Sequence, residues 1–239
     1  MDIQIIASGS KGNCYIVDDG KTKIMLDCGI PYTDILRKTG FNLAEEIEGV
    51  LVTHEHTDHI KAAKRLMEKS AVNIYMSAGT ALASHLSSHR IKKVEPMKLF
   101  TVGTYSVLPF DVKHDAEEPL GFLIASRETG EKLVYFTDTY YLRYKFKGIN
   151  YILGECNYSK QIAEQNVREG RLPEELLKRL YKSHMSIEHF IEFLRANDLS
   201  QCKKIYLLHL SDGNSDEKMF MDLVKAFAPD GCEVRCFGN

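Results

Sequence analysis

Short apolar runs separated by polar turns open the chain. Ile3 to Ala7 reads as a strand. Cys14 to Val17 and Lys23 to Leu26 flank Asp18-Asp19-Gly20-Lys21, a hairpin signal. Pro31 opens a short helix that stops near Gly40, with proline at the start and glycine past the end. Val50, Leu51 and Val52 form the apolar run of a strand from Ile47 to Thr53. The period then becomes helical over Asp58 to Lys69, with Ile60, Ala63, Leu66 and Met67 on one side. The middle reads as strands at 73–76, 91–94, 99–102, 105–112, 121–126 and 132–137. The final third reads as helices at 161–169, 174–182, 187–196 and 217–227, with strands at 151–154, 205–208 and 233–236. Hairpins first, then strands alternating with helices, predict two packed sheets with helices outside. No linker, repeat or low-complexity segment interrupts the pattern, so residues 1–239 are expected to form one domain.

Composition adds exclusions. A chain that is 44% hydrophobic and 27% charged has material for a core. A formal net charge of -2 argues against coating nucleic acid by bulk charge. Local basic clusters, Lys61, Lys64, Arg65 and Lys69, or Arg90, Lys92 and Lys93, are either solvated faces or a rim for a polyanion. The six cysteines include no C-x-x-C pair, and the start of the chain lacks a basic segment followed by an apolar run. The expectation is reduced thiols in a cytoplasmic protein that does not enter a membrane.

The stretch that carries chemistry is Thr53-His54-Glu55-His56-Thr57-Asp58-His59. Three imidazoles and a carboxylate fall within six positions at a predicted strand-to-helix turn. His54 and His56, two apart in an extended turn, project to the same side, while Asp58 and His59 start the helix and point back. A surface metal-scavenging tract would not follow an apolar strand and lead into an amphipathic helix.

H-x-H-x-D-H after a strand resembles the signature of the metallo-β-lactamase superfamily, and other elements of that family follow its order. Asp27 stands in Met25-Leu26-Asp27-Cys28-Gly29, His114 after the strand ending at Val112, Asp138 in Tyr135-Phe136-Thr137-Asp138-Thr139, and His209 in Leu207-Leu208-His209-Leu210-Ser211. The resemblance implies an α+β fold, a four-layer αββα sandwich of two mixed sheets with helices outside. It implies a hydrolase with two divalent metal ions and a metal-bridging hydroxide. His54, His56 and His114 would hold one ion, Asp58, His59 and His209 the other, and Asp138 would bridge them. Zinc suits the nitrogen-rich set, with manganese or iron as alternatives. Asp27 is expected to orient an imidazole. Asp58 would orient the nucleophile. His184, just before a helix beginning near Ser186, is either a proton donor to the leaving oxygen or a capping histidine.

Smaller matches resemble the YycJ/WalJ-type DNA exonucleases within that superfamily. They are Ser8-Gly9-Ser10-Lys11-Gly12-Asn13, Asp27-Cys28-Gly29, His114-Asp115-Ala116 followed by Pro119 and Gly121, Gly154-Glu155-Cys156-Asn157-Tyr158, Ser183-His184-Met185-Ser186, and His209-Leu210-Ser211 with Asn214. That likeness implies a phosphodiesterase acting on DNA, with Ser10, Asn13 and Asn214 as substrate contacts. Two places depart from the branch pattern: Cys156 stands where it commonly has alanine, and Met185 where it commonly has leucine. The alternatives are a small-molecule hydrolase of the same fold, for a thioester, lactone or cyclic nucleotide, or a non-catalytic metal-binding protein. Tyr140, Tyr141 and Tyr144 are either a loop packed on its own core or a contact or base-stacking surface.

Overall fold

Strands form where β-branched and aromatic residues cluster. The computed structural model describes residues 1–40 and 46–238 and gathers thirteen strands, among those residues, into two mixed sheets. Helices complete the predicted α+β class. The chain divides into two compact units, Met1–Asp111 with Ala116–Glu131, and Val112–Asp115 with Lys132–Asn239.

In the first unit, β1 (Asp2–Ala7), β2 (Cys14–Asp18), β3 (Lys23–Leu26), β4 (Ile47–Leu51), β5 (Asn73–Met76) and β6 (Ile91–Lys93) lie in that order in one sheet. The first three pair antiparallel through short turns, and β3 to β6 pair parallel. Parallel neighbours need crossovers. These contain α1 (Tyr32–Thr39), α2 (Thr57–Ile60), α3 (Ala63–Lys69) and α4 (Ala78–Ala83). Gly40 ends α1 in the left-handed region, φ 85°, as the sequence pattern predicts. The core of this unit gathers Cys14, Met25, Ile35, Val50, Leu66 and Ile74, all at most 2% exposed. The antiparallel strands β7 (Phe100–Val102), β8 (Tyr105–Asp111) and β9 (Leu120–Ser126) also belong to it.

Asp19 ties the β2–β3 turn to this second group of strands. It accepts from Lys21 N, Thr22 N, Thr104 Oγ1 and Ser126 Oγ at 3.1, 2.9, 2.6 and 2.7 Å. Burial raises its pKa, but those donors outweigh burial and hold the carboxyl below the ordinary aspartate value.

Two local expectations are corrected. The helix predicted over 58–69 is two pieces, α2 and α3. Asp58 O accepts from Asn13 N at 2.7 Å, and Ala62 N donates to Cys28 O at 2.9 Å, so the bond from residue 62 back to residue 58 is spent on tertiary partners. Helix α4 was not legible in the periodicity; Ser77 caps it by accepting from Thr80 N at 2.9 Å.

In the second unit, β10 (Lys132–Phe136), β11 (Tyr151–Glu155), β12 (Lys204–Leu210) and β13 (Glu233–Gly238) are all parallel, β10 beside β11, β11 beside β12 and β12 beside β13. All five residues of β11 are buried, which is why it reads as a continuous apolar run rather than an alternation. Helices α5 (Lys160–Arg168), α6 (Glu174–Ser183), α7 (Ile187–Ala196) and α8 (Glu217–Lys225) join and follow these strands. Ser159, Ser186 and Asp216 cap α5, α7 and α8 with side-chain oxygens. No helix among the described residues is long and apolar enough to cross a membrane. All six cysteines are free thiols.

Candidate metal centre

Each unit collects metal-ligating side chains at the C-terminal ends of its parallel strands, where an open α/β sheet leaves its crevice. In the first unit, β3 runs into Asp27 and β4 into Thr53 and His54. Asp27 N donates to Leu51 O at 2.8 Å, which fixes the two strand ends together. Gly29 is required beyond them: a Cβ there would stand 1.6 Å from Asp58 O. Cys28 N donates to His59 O at 2.8 Å, so the loop after β3 grips the short helix α2 that carries Asp58 and His59.

The buried hydrogen bonds of this half decide which nitrogens remain available. Asp27, fully buried, accepts from Thr53 N at 2.8 Å and from Thr53 Oγ1 at 3.0 Å. A carboxylate only accepts, so the Thr53 hydroxyl proton goes to Asp27 and its oxygen accepts from His54 Nδ1 at 3.0 Å. His54 then presents Nε2 as a lone pair, 3.1 Å from His56 Nδ1. Two nitrogens held by one tetrahedral zinc at about 2.0–2.1 Å stand roughly 3.3 Å apart, so this spacing fits ligands of a single ion. Asp27 Oδ2 also accepts from His59 Nδ1 at 2.8 Å. That leaves His59 Nε2, 3.4 Å from Asp58 Oδ2 and 3.1 Å from Asn13 Nδ2. One carboxylate thus sets the tautomers of two imidazoles, directly and through Thr53.

In the second unit the donors come from strands far apart in sequence. Register brings them together: Phe136 pairs with Gly154, and Glu155 with Leu208. Asp138, Glu155 and His209 therefore stand side by side just past or at the ends of β10, β11 and β12. With His184, their ligand atoms all lie within 4.8 Å of one another. His209 Nδ1 is 2.7 Å from Asp138 Oδ1, and His184 Nδ1 is 2.6 Å from Glu155 Oε1. Glu155 is fully buried, and its other oxygen accepts from Thr139 N at 2.9 Å and Met185 N at 3.2 Å. His114 Nδ1 donates to Ser183 O at 3.0 Å, and its Nε2 faces Asp138 Oδ2 at 3.5 Å.

Charge follows from these distances. Burial disfavours the protonated form of His209, but Asp138 and Glu155 outweigh it and hold its pKa up at about 10. His184 is raised against burial by Glu155. Glu155 is in turn held below the ordinary glutamate value, again against burial, by His184 and His209. His114 goes the other way: burial dominates and lowers its pKa, which favours the neutral imidazole. Two carboxylates and three imidazoles in this space favour positive charge among them, and the donor set suits a divalent ion.

Backbone strain marks the same places. Of five non-glycine residues with positive φ among the described residues, three are Asp27, Asp138 and His209, at 54°, 45° and 56°. Such conformations cost about 1–3 kcal/mol each and persist where surroundings dictate them.

A family model described as "Beta-lactamase superfamily domain" matches residues 22–209. This chain belongs to the metallo-β-lactamase superfamily. It is 30% identical to the exodeoxyribonuclease YycJ of Bacillus anthracis over 98% of its own length and 92% of that protein. It is 30% identical to the exodeoxyribonuclease WalJ of Streptococcus pneumoniae over 94% of its length and 87% of that protein. Among solved structures it is similar to the metallo-β-lactamase fold protein YhfI of Bacillus subtilis, with a TM-score of 0.72 and 16% identity. That match covers 98% of this chain and 95% of the other. The superfamily's two mixed sheets, helices and His/Asp clusters are all present, and the chain is a metal-dependent hydrolase.

The positions singled out from the superfamily pattern divide by environment. His54, His56, Asp58 and His59 gather in the first unit with Asp27, and His114, Asp138, His184 and His209 in the second. Asn13 is fully buried, with its side chain spent on Gly9, Tyr15 and His59. Ser10 is exposed in the turn before it. Asn214 accepts from Asn166 Nδ2 and donates to Ser211 Oγ, bonds that tie the loop after β12 to α5. Local pattern alone singles out neither Glu155 nor Thr53 as a site residue. The sequence did carry a signal for Glu155: an acidic residue closing an apolar strand, in the same position as the donors that follow β10 and β12.

Proposed function

We propose that this chain is a phosphodiesterase that trims DNA from an end, using two divalent metal ions, zinc foremost, with manganese or iron as alternatives. The observation that carries this reading is the likeness to the Bacillus anthracis exodeoxyribonuclease over 98% of this chain. The ligand assignment follows the superfamily pattern: His54, His56 and His114 for one ion, Asp58, His59 and His209 for the other, and Asp138 shared. Bound there, divalent ions supply a water nucleophile at neutral pH and offset the negative charge of a phosphoryl transition state.

The chain's own residues supply the rest. Asp27 and Thr53 hold His54 and His59 in the tautomers that offer Nε2. Asp58 orients the nucleophile. Glu155 accepts from His184 Nδ1 and favours the imidazolium form, whose Nε2–H is the proton that the leaving oxygen takes. Ser10 and Asn214 contact the substrate backbone, and Asn13 acts through the turn it organises.

The test uses purified, metal-loaded protein with end-labelled DNA, end-labelled RNA, bis-p-nitrophenyl phosphate and S-lactoylglutathione, alongside metal analysis. Progressive shortening of DNA with two metal ions per chain is expected. Hydrolysis of the thioester with no action on either nucleic acid would overturn the nuclease reading.

A further inference from the structure

The segment following Asp138 reads Thr139-Tyr140-Tyr141-Leu142-Arg143-Tyr144-Lys145-Phe146-Lys147. It interleaves aromatic and basic residues and contains no carboxylate. Burial sorts these residues into anchors and a presented face. Leu142 and Phe146 are 7% and 8% exposed, while Tyr140 and Tyr141 are 36% and 48% exposed. Arg143, Lys145 and Lys147 are exposed as well. Tyr140 and Tyr141 thus keep part of each side chain accessible beside the two buried anchors.

The segment is also fastened to the candidate centre. Thr139 N donates to Glu155 Oε2 at 2.9 Å. Thr139 Oγ1 accepts from Lys113 N at 2.9 Å and donates to Tyr141 O at 3.0 Å. Tyr140 O accepts from His189 Nδ1 at 2.9 Å. The tyrosines are therefore set at a fixed distance from Asp138, and Lys113, next to His114, is drawn to the same place. Lys113 is exposed, and among the described residues neither it nor Lys145 nor Lys147 has a carboxylate within ion-pair range. The guanidinium of Arg143 lies 5.1 Å from the ring centre of Tyr144 and donates to its Oη at 2.9 Å, a cation held beside an aromatic ring of the same segment.

We propose that Tyr140 and Tyr141 form a stacking platform for the bases of a single-stranded DNA end, with Lys113, Arg143, Lys145 and Lys147 receiving its phosphates. This rests on the nuclease reading above. Partly exposed rings accept any base, and cations spaced along one segment track a backbone. The formal charge of -2 is no obstacle, because the positive charge is local to the strand's path.

The test compares wild type, Tyr140→Ala/Tyr141→Ala, Tyr140→Phe/Tyr141→Phe and Lys145→Ala/Lys147→Ala. Binding is measured by anisotropy with labelled oligothymidine and with an abasic oligonucleotide of equal length. Hydrolysis is measured on DNA and on bis-p-nitrophenyl phosphate, which has no base. Wild type should prefer the thymidine strand by about tenfold or more, given typical base–aromatic stacking. The double alanine variant should lose that preference and at least tenfold in its ratio of DNA to bis-p-nitrophenyl phosphate hydrolysis, and the phenylalanine variant should regain both. Loss of two lysines should reduce the salt slope of binding by about 1.4, two contacts at roughly 0.7 each. An alanine variant that keeps the wild-type ratio and base preference would overturn the platform while leaving the nuclease reading intact. Hydrolysis of bis-p-nitrophenyl phosphate without any action on or affinity for DNA would instead overturn the nuclease reading and the platform with it. A change of oligomeric state in the alanine variant, with DNA binding unaltered, would reassign the face to contact between copies.

Discussion

In the first unit, four candidate ligands come from one turn of six residues; in the second, the donors come from three strand ends and two loops spread between residues 114 and 209. Both halves nevertheless use one device. Parallel strands end side by side, and the residue at or past each end is turned into the crevice, at Asp27, Asp138 and His209 through a left-handed backbone. A contiguous cluster is visible as composition. A dispersed one exists only through register. The outer partners differ too: one carboxylate, Asp27, serves the first half directly and through Thr53, whereas Glu155 in the second half contacts two imidazoles itself.

Replacing one candidate ligand from each half tests that equivalence most severely. His56→Ala and Asp138→Ala should each reduce hydrolysis by more than about a hundredfold, the upper range for losing an outer partner, and lower the metal content. Elemental analysis with turnover on bis-p-nitrophenyl phosphate reads both. Wild-type rates in either variant would remove that residue from the site. Glu155→Ala comes next. It leaves His184 and His209 without their shared carboxylate, and breaking a buried charged pair costs about 3–5 kcal/mol. Denaturant unfolding should show a loss of that order together with weaker activity, and an unchanged midpoint would mean that the two imidazoles hold their places unaided.

Asp27→Asn should be milder, weakening metal affinity or activity about 10–100-fold, because it disturbs tautomers and leaves the ligands in place. If it matched His56→Ala in severity, Asp27 would be acting as a ligand itself. The smallest catalytic effect is expected of Asp19→Ala, which lies among the strands and holds no ligand. Stranding its buried donors costs about 1–3 kcal/mol, with metal content unaltered. Because Asp19 has a folded pKa below its unfolded value, its contribution is present above the ordinary aspartate range and is lost as pH falls through the lower, folded value. Wild type should thus lose stability toward acid more steeply than Asp19→Ala, measured as the melting midpoint against pH.

Much of this is legible in the amino-acid sequence. The hairpin at 18–21, the helix stop at Gly40, nearly every strand and the H-x-H-x-D-H turn follow from local pattern. The break between α2 and α3 was not, because a helical period cannot show that Asn13 and Cys28 take the bonds that would have continued it. Glu155 lies in the Gly154-Glu155-Cys156-Asn157-Tyr158 segment, yet nothing local separates it from an ordinary strand terminus. It acquires a role when the parallel pairing of β10, β11 and β12 sets it between Asp138 and His209.

The amino-acid order alone determined most element types, the superfamily pattern and the candidate ligands of one turn, because these depend on neighbours within a few residues. Which nitrogen each histidine offers, and which carboxylate stands behind it, was decided only by the fold. Those properties depend on hydrogen-bond partners tens of residues away, and the packing of strand ends, with loops gripping helix backbones, puts them there.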